Sequence, residues 1–215
     1  MAREPMVGGN LQPETLHDFG GFDPALRTLV YPAYGDRALA QRVIDRIQQA
    51  GQHAGMDLDR GLDHGVWVPL RLLFPRADIP VVPLAMPRSL DAAGAFRLGQ
   101  TLGSLADEGV LLFGTGSLTH NLHEFRPDAA TDDAPEPYVL AFTDWMRSAI
   151  DQGDMAALLD YRRRAPDAER AHPTDEHLLP LFWALGAAGE GVRPQYRQGG
   201  VHYGMLSMDA WLFGN

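Results

Sequence analysis

Apolar positions recur at helical spacing over 36–51, DRALAQRVIDRIQQAG, where Leu39, Val43, Ile44 and Ile47 share one face and Gly51 can end the run. IPVVPLAM (79–86) is short, apolar, branched and bounded by prolines, which is the pattern of a strand. AAGAFRLGQTLGSLADEG (92–109) reads as a helix ending at Gly109. VLLFG (110–114) then reads as a second strand, apolar on both faces as a buried parallel strand is. Strand, helix and strand make a βαβ unit, right-handed by the usual rule. PYVLAFTDWMRSAIDQG (137–153) and TDEHLLPLFWALGAAG (174–189) predict two more helices, and the Gly-rich end GGVHYGMLSMDAWLFGN predicts one or two closing strands. No repeat, low-complexity tract or linker divides the chain. The expectation is a single α/β domain over 1–215, with a central mostly parallel sheet flanked by helices. In such sheets ligands sit beyond the carboxyl ends of strands.

Composition narrows the function. With 215 residues, 45% of them hydrophobic and 21% charged, the chain can build a full core. Its 18 Lys+Arg against 28 Asp+Glu give a formal charge of −10, the wrong sign for a nucleic-acid partner. The one basic cluster, YRRRAPDAER (161–170), is interrupted by acids and reads as a solvated helix face. Cysteine is absent, so thiolate catalysis, disulfides and zinc ribbons drop out. Any metal must be held by His and carboxylate, donors that suit zinc or non-haem iron. No apolar run approaches the ~20 residues of a membrane span. MAREPMVGGN carries no apolar signal-peptide core, so a cytoplasmic location without a membrane partner is expected.

The loop after the second predicted strand, GTGSLTHNLHEF (114–125), carries the densest chemistry. A phosphate loop needs Lys and Ser/Thr after its second Gly, and a nucleophile elbow needs G-x-S-x-G; neither is present. What remains is a strand-end bend at Gly114 and Gly116 that presents Ser117, Thr119, His120 and Asn121. His120 is either a catalytic or ligand residue or a hydrogen-bonded structural one. His177 falls near the first turn of the 174–189 helix, with Thr174 as candidate N-cap and Pro180 inside the pattern: either a distortion beside a histidine that marks a candidate site, or a proline tolerated in an early turn. His64, beside Asp63, and His17, beside Asp18, are weaker candidates. His53, His123 and His202 read as surface or packing residues, and His172, before a proline, as a turn residue.

PETLHDFGGFDPAL, YPAYG, GLDHGVWVPLRLLFPRADIPVV, GTGSLTHNL, PTDEHLLPLFWALGA and YGMLSM occur in this order. In that conjunction the chain resembles the class III extradiol ring-cleaving dioxygenases, and the DOPA extradiol dioxygenases most of all, from about residue 3 to the end. The resemblance implies an α/β fold related to the β subunit of protocatechuate dioxygenase. It implies a mononuclear Fe(II), replaceable by zinc, that holds a catechol and dioxygen while the ring is cut beside its hydroxyls. It places His177 as a metal ligand. His120 becomes the pocket acid/base or an additional metal contact, and His64 and His17 orient the catechol. A histidine titrating near neutrality suits such proton traffic, and Asp63 and Asp18 could each fix a neighbouring imidazole's tautomer.

The resemblance is incomplete at one end. Family members open with a strand leading to a GHGSP-like motif and a second strand ending in an AHW-like motif, each bringing a metal-ligand histidine; neither motif occurs here. The expectation is a chain lacking the family's first strands, either because its true start lies upstream or because it is a shortened relative. As written it is then expected to be inactive or very weak unless another chain or a local histidine completes the site, and a homo-oligomer could cover the exposed sheet edge. Two alternatives stand beside the dioxygenase: a non-catalytic binding or interaction domain, and a zinc-dependent hydrolase on the same scaffold.

Overall fold

The computed structural model describes residues 4–21, 23–125, 130 and 133–214. The chain divides into two compact units, Met1–Leu90 and Asp91–Asn215. The first contains β1 (Met6–Gly8), a 3-10 turn (Pro24–Thr28), α1 (Arg37–Gln49), β2 (Gly55–Asp57), α2 (His64–Leu73) and β3 (Leu84–Ala85). Asp36 caps α1 by accepting the Leu39 amide at 2.9 Å, and Ala40, Val43, Ile44 and Ile47 form its buried face. The sheet runs β2-β1-β3, with β1 parallel to β2 and antiparallel to β3. It is therefore small and mixed, where the sequence pattern predicts a central, mostly parallel one. The 79–86 run contributes only Leu84–Ala85 as strand, because Pro80 and Pro83 have no N–H to offer a ladder.

Helix α2, like β1 and β2, is an element the sequence pattern does not reveal. Gly65, two valines and the internal Pro69 obscure its periodicity. Tertiary packing decides instead. Trp67 and Leu70 bury with Tyr31, Ala33, Leu62 and Ala77, while the Trp67 indole N–H donates to the Leu16 carbonyl at 2.9 Å and the Tyr31 hydroxyl to that of Phe74 at 3.1 Å. Both polar tips are thus satisfied inside an apolar cluster.

The second unit begins with α3 (Ala92–Leu102), capped by Asp91 and continued as 3-10 turns over Gly103–Glu108 until Gly109, at φ +79°, stops it. After 110–125 come α4 (Pro137–Gln152), α5 (Met155–Leu159), α6 (Tyr161–Arg164), α7 (Ala168–Ala171) and α8 (Leu179–Ala188). Two antiparallel pairs close the chain: β4 (Gln195–Arg197) with β7 (Ala210–Leu212), and β5 (Val201–His202) with β6 (Leu206–Ser207). The VLLFG run joins no strand among the described residues, so the predicted βαβ unit does not form. Gly114, at its end, packs on the Pro180 carbonyl in the first turn of α8, which draws the segment along a helix terminus rather than into a ladder. Helix α8 starts five residues later than its apolar pattern suggests, because Pro180 belongs to its opening turn, where a missing N–H costs nothing. His177 lies in the turn just before the helix, and Thr174 is not its cap.

Helices α3 and α8 touch backbone to backbone. A methyl on Gly99 would strike the Trp183 carbonyl oxygen, and one on Gly186 would strike that of Phe96. Within the 161–170 run, predicted as a solvated face, Arg162 pairs with Asp175. Arg170 holds Glu124 through two contacts of 2.7 and 2.9 Å and lies 4.0 Å above the Tyr138 ring, whereas Arg163 is exposed. His172 departs most from its sequence reading. It is fully buried at the end of α7, and its Nε2–H donates to the Leu118 carbonyl at 2.8 Å. Among the described residues no helix is long and apolar enough to cross a membrane.

Two outcomes are expected. Gly99→Ala forces α3 from α8 and costs about 1–3 kcal/mol, the usual penalty of overpacking, read as a lower urea midpoint. Burial, and then the charges of neighbouring residues, hold His172 down to about 4 against an ordinary 6.5. Between those values the unfolded chain carries a proton that the folded chain refuses. Stability is therefore complete above pH 6.5 and falls toward pH 4 by about 1.4 kcal/mol per unit. Chemical denaturation from pH 7 to 4 should show that contribution, and His172→Gln should lessen the slope by about that amount.

Candidate active site

Two histidine centres occur, one in each unit. In the first, His17 and His64 flank Phe19, with ring centroids 6.2 and 6.0 Å from it, and His17 stands edge-on to Trp67 at 5.8 Å. His17 Nε2–H donates to the Leu29 carbonyl at 2.9 Å. Asp18 holds His64 rather than its own neighbour: its carboxylate accepts from the His64 backbone N–H at 3.1 Å and lies 3.0 Å from Nδ1. Burial raises the Asp18 carboxyl, but the His64 hydrogen bonds outweigh it and leave the group below its usual range. Asp63 stands at the N-cap position of α2 with no side-chain cap bond, and its carboxylate binds Arg60 at 2.7 Å rather than His64.

In the second unit, His120 and His177 lie 57 positions apart in sequence and stack face to face, with centroids 3.5 Å apart and planes 13° from parallel. Neither sits on a helix or strand; backbone hydrogen bonds hold both. Ser117 N–H donates to the His177 carbonyl at 2.9 Å, and His120 N–H to that of Ala171 at 2.9 Å. Gly116 has no room for a side chain, since a methyl there would meet the His177 carbonyl oxygen. This close approach is the physical reason for the glycines in GTGS. On the other flank, the buried Thr119 hydroxyl donates to the Met205 carbonyl and accepts the Ser207 N–H, both at 2.8 Å. Asn121 donates to the Arg170 carbonyl at 2.7 Å. The loop is thus clamped between residues 170–177 and the β5–β6 hairpin.

Burial, and then the facing His177, lower the His120 imidazole to about 4. It is neutral near pH 7, free to accept a proton or present a lone pair. Glu176 lies beside the pair, 3.7 Å from His177 Nδ1, and accepts the Thr174 hydroxyl at 2.9 Å. Burial raises its carboxyl, but backbone and Thr174 hydrogen bonds prevail and keep it lowered and ionised. His53 and His123 are exposed, and His202 is half-buried in β5. The sequence reading named Asn121 only as part of the bend, took His172 for a turn residue and did not single out Glu176. The spacing His172–Pro173…Glu176–His177 in AHPTDEH was the available signal for the last two, with both histidines on one short connection.

The chain matches the family described as "Catalytic LigB subunit of aromatic ring-opening dioxygenase" over residues 6–210. It is 38% identical to the 4,5-DOPA dioxygenase extradiol of Beta vulgaris, over 93% of this chain and 74% of that protein. It is 35% identical to the Escherichia coli K12 protein of the same name, over 91% and 72%. A crystal structure of an uncharacterized Escherichia coli K12 protein superposes with a TM-score of 0.77 at 30% identity, covering 96% of this chain and 79% of that one. With the match running through both histidine centres, the chain belongs to the family of aromatic ring-opening dioxygenase catalytic subunits of the LigB type.

Proposed function

We propose that the chain carries out oxygen-dependent extradiol cleavage of a catechol, DOPA-like or a related aromatic diol, with His177 as metal ligand and His120 as acid/base or additional metal contact. The supporting observation is the stacked His120–His177 pair, assembled from distant segments with ring centroids 3.5 Å apart. Both compact units are taken as one catalytic domain, because the family match spans 6–210. The donor chemistry suits the metal this implies. A neutral imidazole and its stacked partner offer nitrogen donors of the kind that bind Fe(II) or zinc. Among the described residues no group of three or more His, Asp or Glu is placed to hold an ion, so the pair is part of a ligand set rather than all of one. When bound, ferrous iron would hold the diol and dioxygen together and supply the redox chemistry.

The chain's own residues would handle protons and orientation. His120, neutral near pH 7, accepts a proton as the diol binds and returns it as the ring opens. Glu176, ionised beside the pair, stabilises the imidazolium in between. His64, fixed by Asp18, and His17, fixed by the Leu29 carbonyl, are assigned the orientation of the diol. A second reading, a non-catalytic diol-binding relative, is favoured by the two-donor pair alone.

The test is oxygen uptake by the full chain with Fe(II) and L-DOPA. The dioxygenase reading expects uptake in proportion to diol consumed, weak unless further ligands complete the centre, with loss to background in His177→Ala and a clear drop in His120→Ala. Diol binding without uptake selects the non-catalytic relative, and uptake unchanged in His177→Ala overturns the proposed centre. Chelator should abolish uptake and Fe(II) restore it; activity with zinc alone and no oxygen would instead select the hydrolase.

A further inference from the structure

We propose that His172 is a positioning residue for the His120–His177 pair: its Nε2–H holds the Leu118 carbonyl and so joins the loop that carries His120 to the turn that carries His177. The inference deepens the reading of that pair as the working centre.

Three consecutive residues grip the His120 loop. The Arg170 carbonyl accepts from Asn121, the Ala171 carbonyl accepts the His120 N–H, and the His172 ring donates to the Leu118 carbonyl at 2.8 Å. His172 is itself anchored from behind. Its carbonyl accepts from Arg162 Nη1 at 2.6 Å, Arg162 pairs with Asp175, and Asp175 accepts the Tyr161 hydroxyl at 2.8 Å. The Asp175 carbonyl in turn accepts the Leu178 and Leu179 amides at 2.8 and 3.0 Å, on the far side of His177. A single chain of contacts therefore runs from α6 through His172 to the His120 loop, and through Asp175 to the turn that contains His177.

A purely packing role does not account for an imidazole here. The residue is fully buried, and its Nδ1 has no hydrogen-bond partner. A buried acceptor left unsatisfied is costly, and an apolar ring such as phenylalanine would fill the space against Phe142 without that cost. What phenylalanine lacks is the N–H. Because a carbonyl can only accept, the bond to Leu118 fixes the tautomer with hydrogen on Nε2. That one donor is what the site retains in exchange for a bare Nδ1.

NMR of the full chain, labelled with 15N- and 13C-histidine, tests this without reference to turnover. The wild-type His172 ring should show the Nε2–H tautomer with slow solvent exchange; an Nδ1–H tautomer overturns the proposal outright. Stacked rings shield one another, so the His120 and His177 ring protons should resonate upfield of their free positions. His172→Gln keeps an N–H donor at comparable reach and should keep those shifts. His172→Phe keeps the volume and should lose them, the two signals moving to free-histidine positions in a protein that still unfolds cooperatively. Equal loss in both variants, or no loss in folded His172→Phe, overturns the proposal. If His172→Phe does not fold, the wild-type tautomer and the His172→Gln shifts decide. Because the readout is ring geometry, a failure of the dioxygenase reading leaves this result legible, and the converse also holds.

Discussion

Everything distinctive in the second unit follows from one close approach: the backbone of Gly114 and Gly116 lies against the carbonyls of Pro180 and His177. A side chain at Gly116 would push its strand of chain away from His177, and the face contact between the imidazoles would be lost. The approach also explains why VLLFG does not behave as a buried strand. Its downstream glycines are committed to the start of α8, where Leu178 and Leu179 amides already turn back onto Asp175. The site therefore sits where one extended segment abuts one helix start, a junction at which polar backbone groups are plentiful and can be satisfied by each other.

Electrostatics follow the same constraint. Two imidazoles stacked at van der Waals distance cannot both carry charge cheaply, and burial adds to the penalty, so His120 stays neutral over most of the accessible pH range. His172 is held neutral by its full burial. Glu176 remains ionised because hydrogen bonds offset its desolvation. Neutral nitrogens beside one fixed negative charge favour a metal cation, while burial disfavours an added proton on His120.

The long amphipathic helices were legible in the sequence. Asp36 and Asp91 cap, Gly109 and Gly153 stop, and the apolar spacing between them carries α1, α3 and α4. His120 and His177 could be singled out because glycines and a proline mark their surroundings. Their convergence could not be derived from spacing, since it depends on a contact between residues 116 and 177 that no local pattern encodes. Helix α2 was hidden because Trp67 and Leu70 are buried through tertiary partners rather than through a repeating stripe. The Asp18–His64 contact was hidden for a related reason: sequence adjacency suggested Asp63 for His64 and Asp18 for His17, and the fold exchanged them. His172 was misread because a residue before proline is usually in a turn, and the histidine spacing in AHPTDEH, though a signal, does not say that its side chain points inward.

The clamp around His120 is made largely from main-chain carbonyls and amides of Leu118, Ala171, Met205, Ser207 and His177. Main-chain groups are common to nearly all amino acids. Side chains at Leu118, Ala171 and Met205 can thus be exchanged without losing these bonds, while Gly114, Gly116, Thr119 and His172 cannot. A scaffold of this kind is free to diversify the walls that greet a guest molecule and yet keep its reactive rings in register, so that selectivity can wander while chemistry stays put.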